Sequence, residues 1–112
     1  MTAPVDEGPV QLLHLLGHLY SKHGETRRGV VMLLIAARLA PANAGIWRTL
    51  AHAFLADGAP ERTIAVIGHL RLMGEPDHPA LDLLMSRALW ACGRQAEARR
   101  SFRDFLTHRE QP

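Results

Sequence analysis

Apolar residues recur along this chain at helical spacing, three and four positions apart, in stretches separated by glycine and proline. Leu81, Leu84, Met85, Ala88 and Leu89 form one such stripe, and Ala98, Phe102, Phe105 and Leu106 the next. The pattern predicts six helices, over 9–22, 26–40, 44–57, 60–74, 79–92 and 95–109. Pro9, Pro60 and Pro79 suit first helical positions, where a missing N–H removes no hydrogen bond. Glu61 and Asp82 fall in first turns, where the helix dipole favours negative charge. Gly24, Gly58 and Gly93 are placed to end helices one, three and five. Pro41 and Pro76 punctuate the ends of helices two and four. Residues 1–8 read as a disordered lead and 110–112 as a frayed end.

The three glycines are 34 and 35 residues apart, and their surroundings repeat with them. Seven residues before each stands a small residue (Gly17, Ala51, Ser86), and four before each a large apolar one (Tyr20, Phe54, Leu89). Five residues after come Gly29, Thr63 and Ala98, and nine after come Leu33, Ile67 and Phe102. Small residues let antiparallel helices approach, and the large ones fill the groove this opens. The register resembles the tetratricopeptide (TPR) repeat. The expected fold is all-α: three TPR-like helix-turn-helix repeats, about 10–43, 44–77 and 79–112, in one domain over 9–109. They would form a short right-handed superhelix with a concave groove.

Composition agrees. The 112 residues include 17 Leu and 16 Ala against 14 Val, Ile and Thr together, a balance that favours helix over sheet. Net charge is only +2, and 12 of the 13 basic residues are Arg. No run of Lys or Arg exceeds two, which argues against a nucleic-acid partner. The longest apolar run, Val30 to Ala37, is far short of the roughly 20 residues that span a bilayer, so no membrane insertion is expected. The opening residues carry acid and lack an apolar core, unlike a signal peptide. A single cysteine, Cys92, suits a reducing cytoplasm and reads as a small packing residue.

In a TPR array the first helix of each pair lines the concave groove. That geometry assigns Gln11, His14, His18, Ser21 and Lys22 to the groove from repeat one. Repeat two gives Arg48, His52 and Leu55, and repeat three gives Leu83, Arg87 and Trp90. The wall would be polar and basic at one end and apolar at the other, with Trp90 and Leu83 as anchors for a partner helix or extended segment. Trp47 reads instead as core. His14 and His18, four apart on one face, have a spacing that can hold a divalent metal, but no Asp, Glu or Cys completes the set on that face. They read as histidines that hydrogen-bond a partner, and neither metal nor cofactor is expected. No nucleophile triad, phosphate loop or carboxylate pair is evident, so the chain does not read as an enzyme.

The opening run Leu12-Leu13-His14-Leu15-Leu16-Gly17-His18-Leu19-Tyr20 resembles that of bacterial type III secretion chaperones. The closing Ala98-Arg99-Arg100-Ser101-Phe102-Arg103-Asp104-Phe105-Leu106, with its short polar tail, looks most like the YscY branch. The resemblance implies a cytoplasmic, non-catalytic bacterial chaperone. Its groove would wrap a helical region of a small YscX-like export protein, and the pair would engage the export-gate protein. Matching partner-facing positions are His14, His18, His52, Leu55, Leu83, Arg87 and Trp90. Needle-subunit chaperones, translocator chaperones and general TPR scaffolds have similar repeats and stay open as alternatives. The chain stops just after Phe105 and Leu106 with no seventh helix, which predicts an obligate partner or self-association into a homodimer. Co-chaperones that grip a C-terminal carboxylate place Lys and Asn where this chain has His14 and His18, a departure that argues against that class.

Overall fold

A computed structural model describes residues 7–74 and 78–110. Six helices account for nearly all of them: α1 (Glu7–Lys22), α2 (Thr26–Leu39), α3 (Ala44–Ala56), α4 (Pro60–Leu72), α5 (Pro79–Ala91) and α6 (Gln95–Glu110). No strand occurs among the described residues, so the protein is all-α. Each helix ends within two residues of the sequence expectation. α1 begins at Glu7, inside the segment read as a lead, so Pro9 stands third in the helix and not first, still within the turn whose N–H groups have no helical partner. Residues 1–6, the Pro76 punctuation and 111–112 lie outside the described residues.

The helices pack as three antiparallel pairs, α1 with α2, α3 with α4 and α5 with α6, with lesser contacts joining successive pairs. The three turns within pairs are built alike. Gly24, Gly58 and Gly93 have φ of 85°, 76° and 79°, a left-handed conformation that only glycine adopts without strain. The residue after each glycine then donates its N–H back to the last turn of the preceding helix. Glu25 reaches the Tyr20 carbonyl at 2.8 Å, Ala59 reaches Phe54 at 2.9 Å and Arg94 reaches Leu89 at 2.9 Å. These bonds satisfy carbonyls that the helix end would otherwise leave unpaired.

Above each turn the paired helices cross at the small residues, in equivalent positions. In the first pair a Cβ added at Gly29 would stand 2.7 Å from the Gly17 carbonyl oxygen. In the second, the buried Thr63 hydroxyl donates to the Ala51 carbonyl at 2.8 Å. In the third, the Ser86 hydroxyl donates to Ala98 at 2.9 Å. All three crossings join residues twelve apart. Side chain and backbone are thus locked together where the repeated small residues stand.

The main core runs through α2 to α5 around Leu33, Leu50, Phe54, Ile67, Leu70 and Leu84. A smaller cluster of Val10, Ala36, Ala37 and Ile46 joins α1 to α2 and α3. Trp47, read from the sequence as core, is only half-buried and packs against the edge of both clusters. Its indole N–H donates to Pro41 at 2.9 Å, and its ring meets that of His69 edge-on at 4.5 Å. Polar ties link the pairs. Asp57, in the α3–α4 turn, accepts from Thr26 at 2.9 Å and pairs with Arg27 at 3.4 Å. Asp82 on α5 is buried and pairs with Arg71 of α4 at 3.1 Å and with His108 of α6 at 2.5 Å. The molecule is elongated, 47 × 31 × 21 Å, with a radius of gyration of 14.8 Å against about 13 Å for a compact chain of this length.

One sequence expectation is corrected in α6. Phe102 and Leu106 were aligned with the core stripe, but they are 43% and 37% exposed. The inward positions are Ala98 and Ser101, with Phe105 and His108 half-buried. Leu33 and Ile67, which occupy the place of Phe102 in the first two pairs, are fully buried because the following pair covers them. No described helix lies over Phe102.

Candidate functional site

The first helices of the three pairs share one open cleft of about 640 Å³. α1 contributes His18, Ser21 and Lys22 to its wall. The middle is α3, through Gly45, Arg48, Thr49 and His52, then Leu55 and Ala56 as an apolar stretch. α5 closes the far side with Arg87. The helical period explains the α3 set: positions 45, 48, 49, 52, 55 and 56 fall on one face, opposite the buried Ile46, Leu50, Ala53 and Phe54.

The cleft's charge is one-sided. Lys22, Arg48 and Arg87 are permanent cations, His18 and His52 add two imidazoles, and none of the described carboxylates lines the wall. Among the described residues, neither Lys22 nor Arg87 meets a carboxylate. His52 registers this field: burial first, and then the Arg87 and Lys22 cations and the neighbouring His18, hold its pKa below the ordinary value.

His14 stands at the edge of this wall, half-buried against α3. Its Nε2 lies 2.7 Å from the Thr49 hydroxyl, which itself donates to the Gly45 carbonyl at 3.0 Å. The hydroxyl has one proton and has used it, so the imidazole must be the donor, with its proton on Nε2. Burial and then His18 push the His14 pKa below its ordinary value. His14 thus braces α1 on α3. Among the described residues no group of three His, Cys, Asp or Glu side chains is placed to hold a metal ion.

No family model and no curated protein matches this chain. The site therefore rests on its own geometry.

Of the groove residues expected from the sequence, His18, Ser21, Lys22, Arg48, His52, Leu55 and Arg87 come together in the cleft, with His14 beside it, whereas Gln11 lies on a different surface near Leu39 and Asn43. Leu83 is half-buried and does not line it. Trp90, 54% exposed, lies apart, in a second groove of about 490 Å³ between α5 and α6. There it accompanies Phe102 and Ala98, with Arg99 and Arg103 at the rim. The expected basic and apolar ends of one wall are thus two separate surfaces.

Sequence reasoning missed a third feature. Leu12, Leu15 and Leu19 on α1 are 55%, 55% and 42% exposed, and Val31, Leu34 and Ile35 on α2 are exposed as well. The signal was present: five leucines within eight residues place apolar side chains on more than one face of α1, whereas one buried face needs about three per two turns. No described helix is long and apolar enough to cross a membrane, so these side chains do not belong to a spanning helix.

Proposed function

We propose that this chain is a non-catalytic TPR-like chaperone of the type III secretion kind, which holds a helical segment of a small export protein in the cleft of α1, α3 and α5. On this reading the three pairs form a short right-handed superhelix, and the protein works in the bacterial cytoplasm as a YscX-like protein's partner, handing it to the export gate. The observation that supports it is that one continuous cleft draws its wall from the first helix of every pair. A ligand lying along that wall would contact all three pairs at once and stabilise the array by mass action, about 2.7 kcal/mol at a hundredfold excess over Kd.

The test is production of the chain alone and together with small proteins encoded beside it, read by size-exclusion chromatography with light scattering. The expected outcome is an aggregated, dimeric or low-melting protein alone and a soluble 1:1 complex with one such partner. A stable monomer whose melting temperature no partner changes would remove the chaperone reading. A second reading, a general scaffold joining two folded proteins, draws on the exposed Val31, Leu34 and Ile35 of α2, which lie outside the cleft. Partner binding that survives cleft substitutions but not Ile35→Ser would favour it.

A further inference from the structure

We propose that the cleft of α1, α3 and α5 is an acidic-peptide site, in which Lys22 and Arg87 hold carboxylates of the bound segment while Leu55 and Ala56 receive an apolar side chain beside them. The inference rests on the partner-binding reading and names the chemistry of the segment. Lys22 and Arg87 approach from different helices, α1 and α5, across the α3 floor. Each is free of carboxylate contact among the described residues. Among the described residues the cleft gathers cations and no carboxylate, and such a wall focuses its field outward on a ligand of opposite sign. The apolar stretch at Leu55 and Ala56 distinguishes the site from a bare anion cradle, because it rewards a side chain that a simple phosphate lacks. No Phe, Tyr or Trp lines the cleft to stack a base, and the cations form a cluster instead of a track along a strand, so a peptide fits better than a nucleic acid.

Protonation tightens the same grip. His52 faces Lys22 and His18 from α1 and Arg87 from α5, and shares α3 with Arg48. A carboxylate entering among these groups offsets their repulsion and draws a proton onto the imidazole, so binding and proton uptake are coupled.

Fluorescence anisotropy with the full chain tests this directly. The probes are a labelled peptide of repeated Glu-Glu-Leu, a control of repeated Lys-Lys-Leu, and a labelled single-stranded oligonucleotide. The acidic peptide is expected to bind, to weaken as salt rises from about 50 to about 300 mM, and to bind more tightly near pH 6 than near pH 8. The double substitution Lys22→Glu and Arg87→Glu should weaken it by about tenfold or more, since two attractions become repulsions. Both side chains are exposed, and circular dichroism checks that helicity is kept; should the double reversal unfold, Lys22→Gln with Arg87→Gln should still weaken binding about threefold. Equal affinity for acidic and basic peptides, unchanged affinity in a folded charge variant, or tighter binding of the oligonucleotide would each overturn the proposal. A co-expressed partner retained equally by wild type and the charge-reversed variant would refute the acidic cleft while leaving the chaperone reading intact. Selective acidic-peptide binding with no partner dependence of the free protein would do the opposite.

Discussion

Gly29→Ala and Gly68→Ala are the same chemical change in neighbouring helical settings, and the structure assigns them opposite signs. At Gly68, in α4, an added Cβ meets nothing within 4 Å. The methyl group then only removes backbone freedom from the unfolded chain and improves helix propensity, a gain of about 0.5–1 kcal/mol. At Gly29 the same atom would stand 2.7 Å from the Gly17 carbonyl oxygen and 3.0 Å from the Ser21 nitrogen. Both obstacles are backbone of α1, and no rotamer change moves them. The helices of the first pair must separate by several tenths of an ångström, which loosens Leu33, a fully buried residue packed over the same crossing. Overpacking of this kind costs about 1–3 kcal/mol, and the rigid obstacle puts Gly29 near the top of that range. Subtracting the propensity gain leaves a net loss of about 2 kcal/mol, or roughly 10 °C in melting temperature for a domain of this size. Urea and thermal unfolding followed by circular dichroism measure both variants on one scale. The helix-crossing account fails if Gly29→Ala is as stable as wild type or gains stability as Gly68→Ala does.

Asp82→Asn keeps the volume of a buried side chain but removes the charge that Arg71 and His108 share. It should cost about 1–2 kcal/mol by urea unfolding, toward the low end for a buried ion pair because both partners are partly exposed, and should raise amide exchange in α6 before the other helices. His14 and His52 both have folded pKa values below the ordinary 6.5. The unfolded chain therefore binds more protons below that pH, so their contribution to stability is complete above about 6.5 and is lost as the pH falls through the folded values. The free protein should melt lower near pH 5.5 than near pH 7.5, and His14→Gln with His52→Gln should narrow the difference; an unchanged difference would assign it elsewhere. Trp90→Ala should leave both helicity and binding in the cleft of α1, α3 and α5 unchanged, since Trp90 stands in the separate α5–α6 groove; a partner complex weakened by more than about 1 kcal/mol would extend the binding surface to that groove.

The helix boundaries were legible because each is written in backbone chemistry that acts locally. Gly24, Gly58 and Gly93, at φ near 80°, stop three helices, and Pro60 and Pro79 start two for an equally local reason. The repeat register added the pairing, since small residues twelve apart meet at every crossing. What escaped was anything decided by a neighbour absent from the local pattern. Phe102 has the register position of Leu33 and Ile67, and no described helix lies over it. Asp82 reads as a first-turn acid, and its burial depends on Arg71 and His108 arriving from other helices. Most of the expected groove came together, Arg48, His52 and Leu55 because they share one helix face, which periodicity fixes. Trp90 was grouped with them because helical position gives the face but not the separation along the array.

The crowding of like charges in the cleft ties the stability of the free chain to its capacity to bind. Removing one of the cations separates the two effects. Burial is the first cause of the depressed His52 pKa and Arg87 the second, so Arg87→Gln should raise that pKa without restoring the ordinary value. The variant should then lose less stability than wild type between neutral and mildly acidic pH, because its His52 accepts a proton more readily in the folded state. It should also bind an acidic peptide more weakly, having lost one of the groups that attracts it. Carbon- and proton-detected NMR titration of His52 reads the first effect, thermal unfolding across pH the second and anisotropy the third. Natural sequences commonly hold such a conflict at a binding surface, since a residue chosen for a partner need not suit the unbound protein. A His52 titration that is identical in Arg87→Gln and wild type would show that the two side chains do not share a field. The cleft would then be a set of separate surface charges, with no reason for a carboxylate to prefer it.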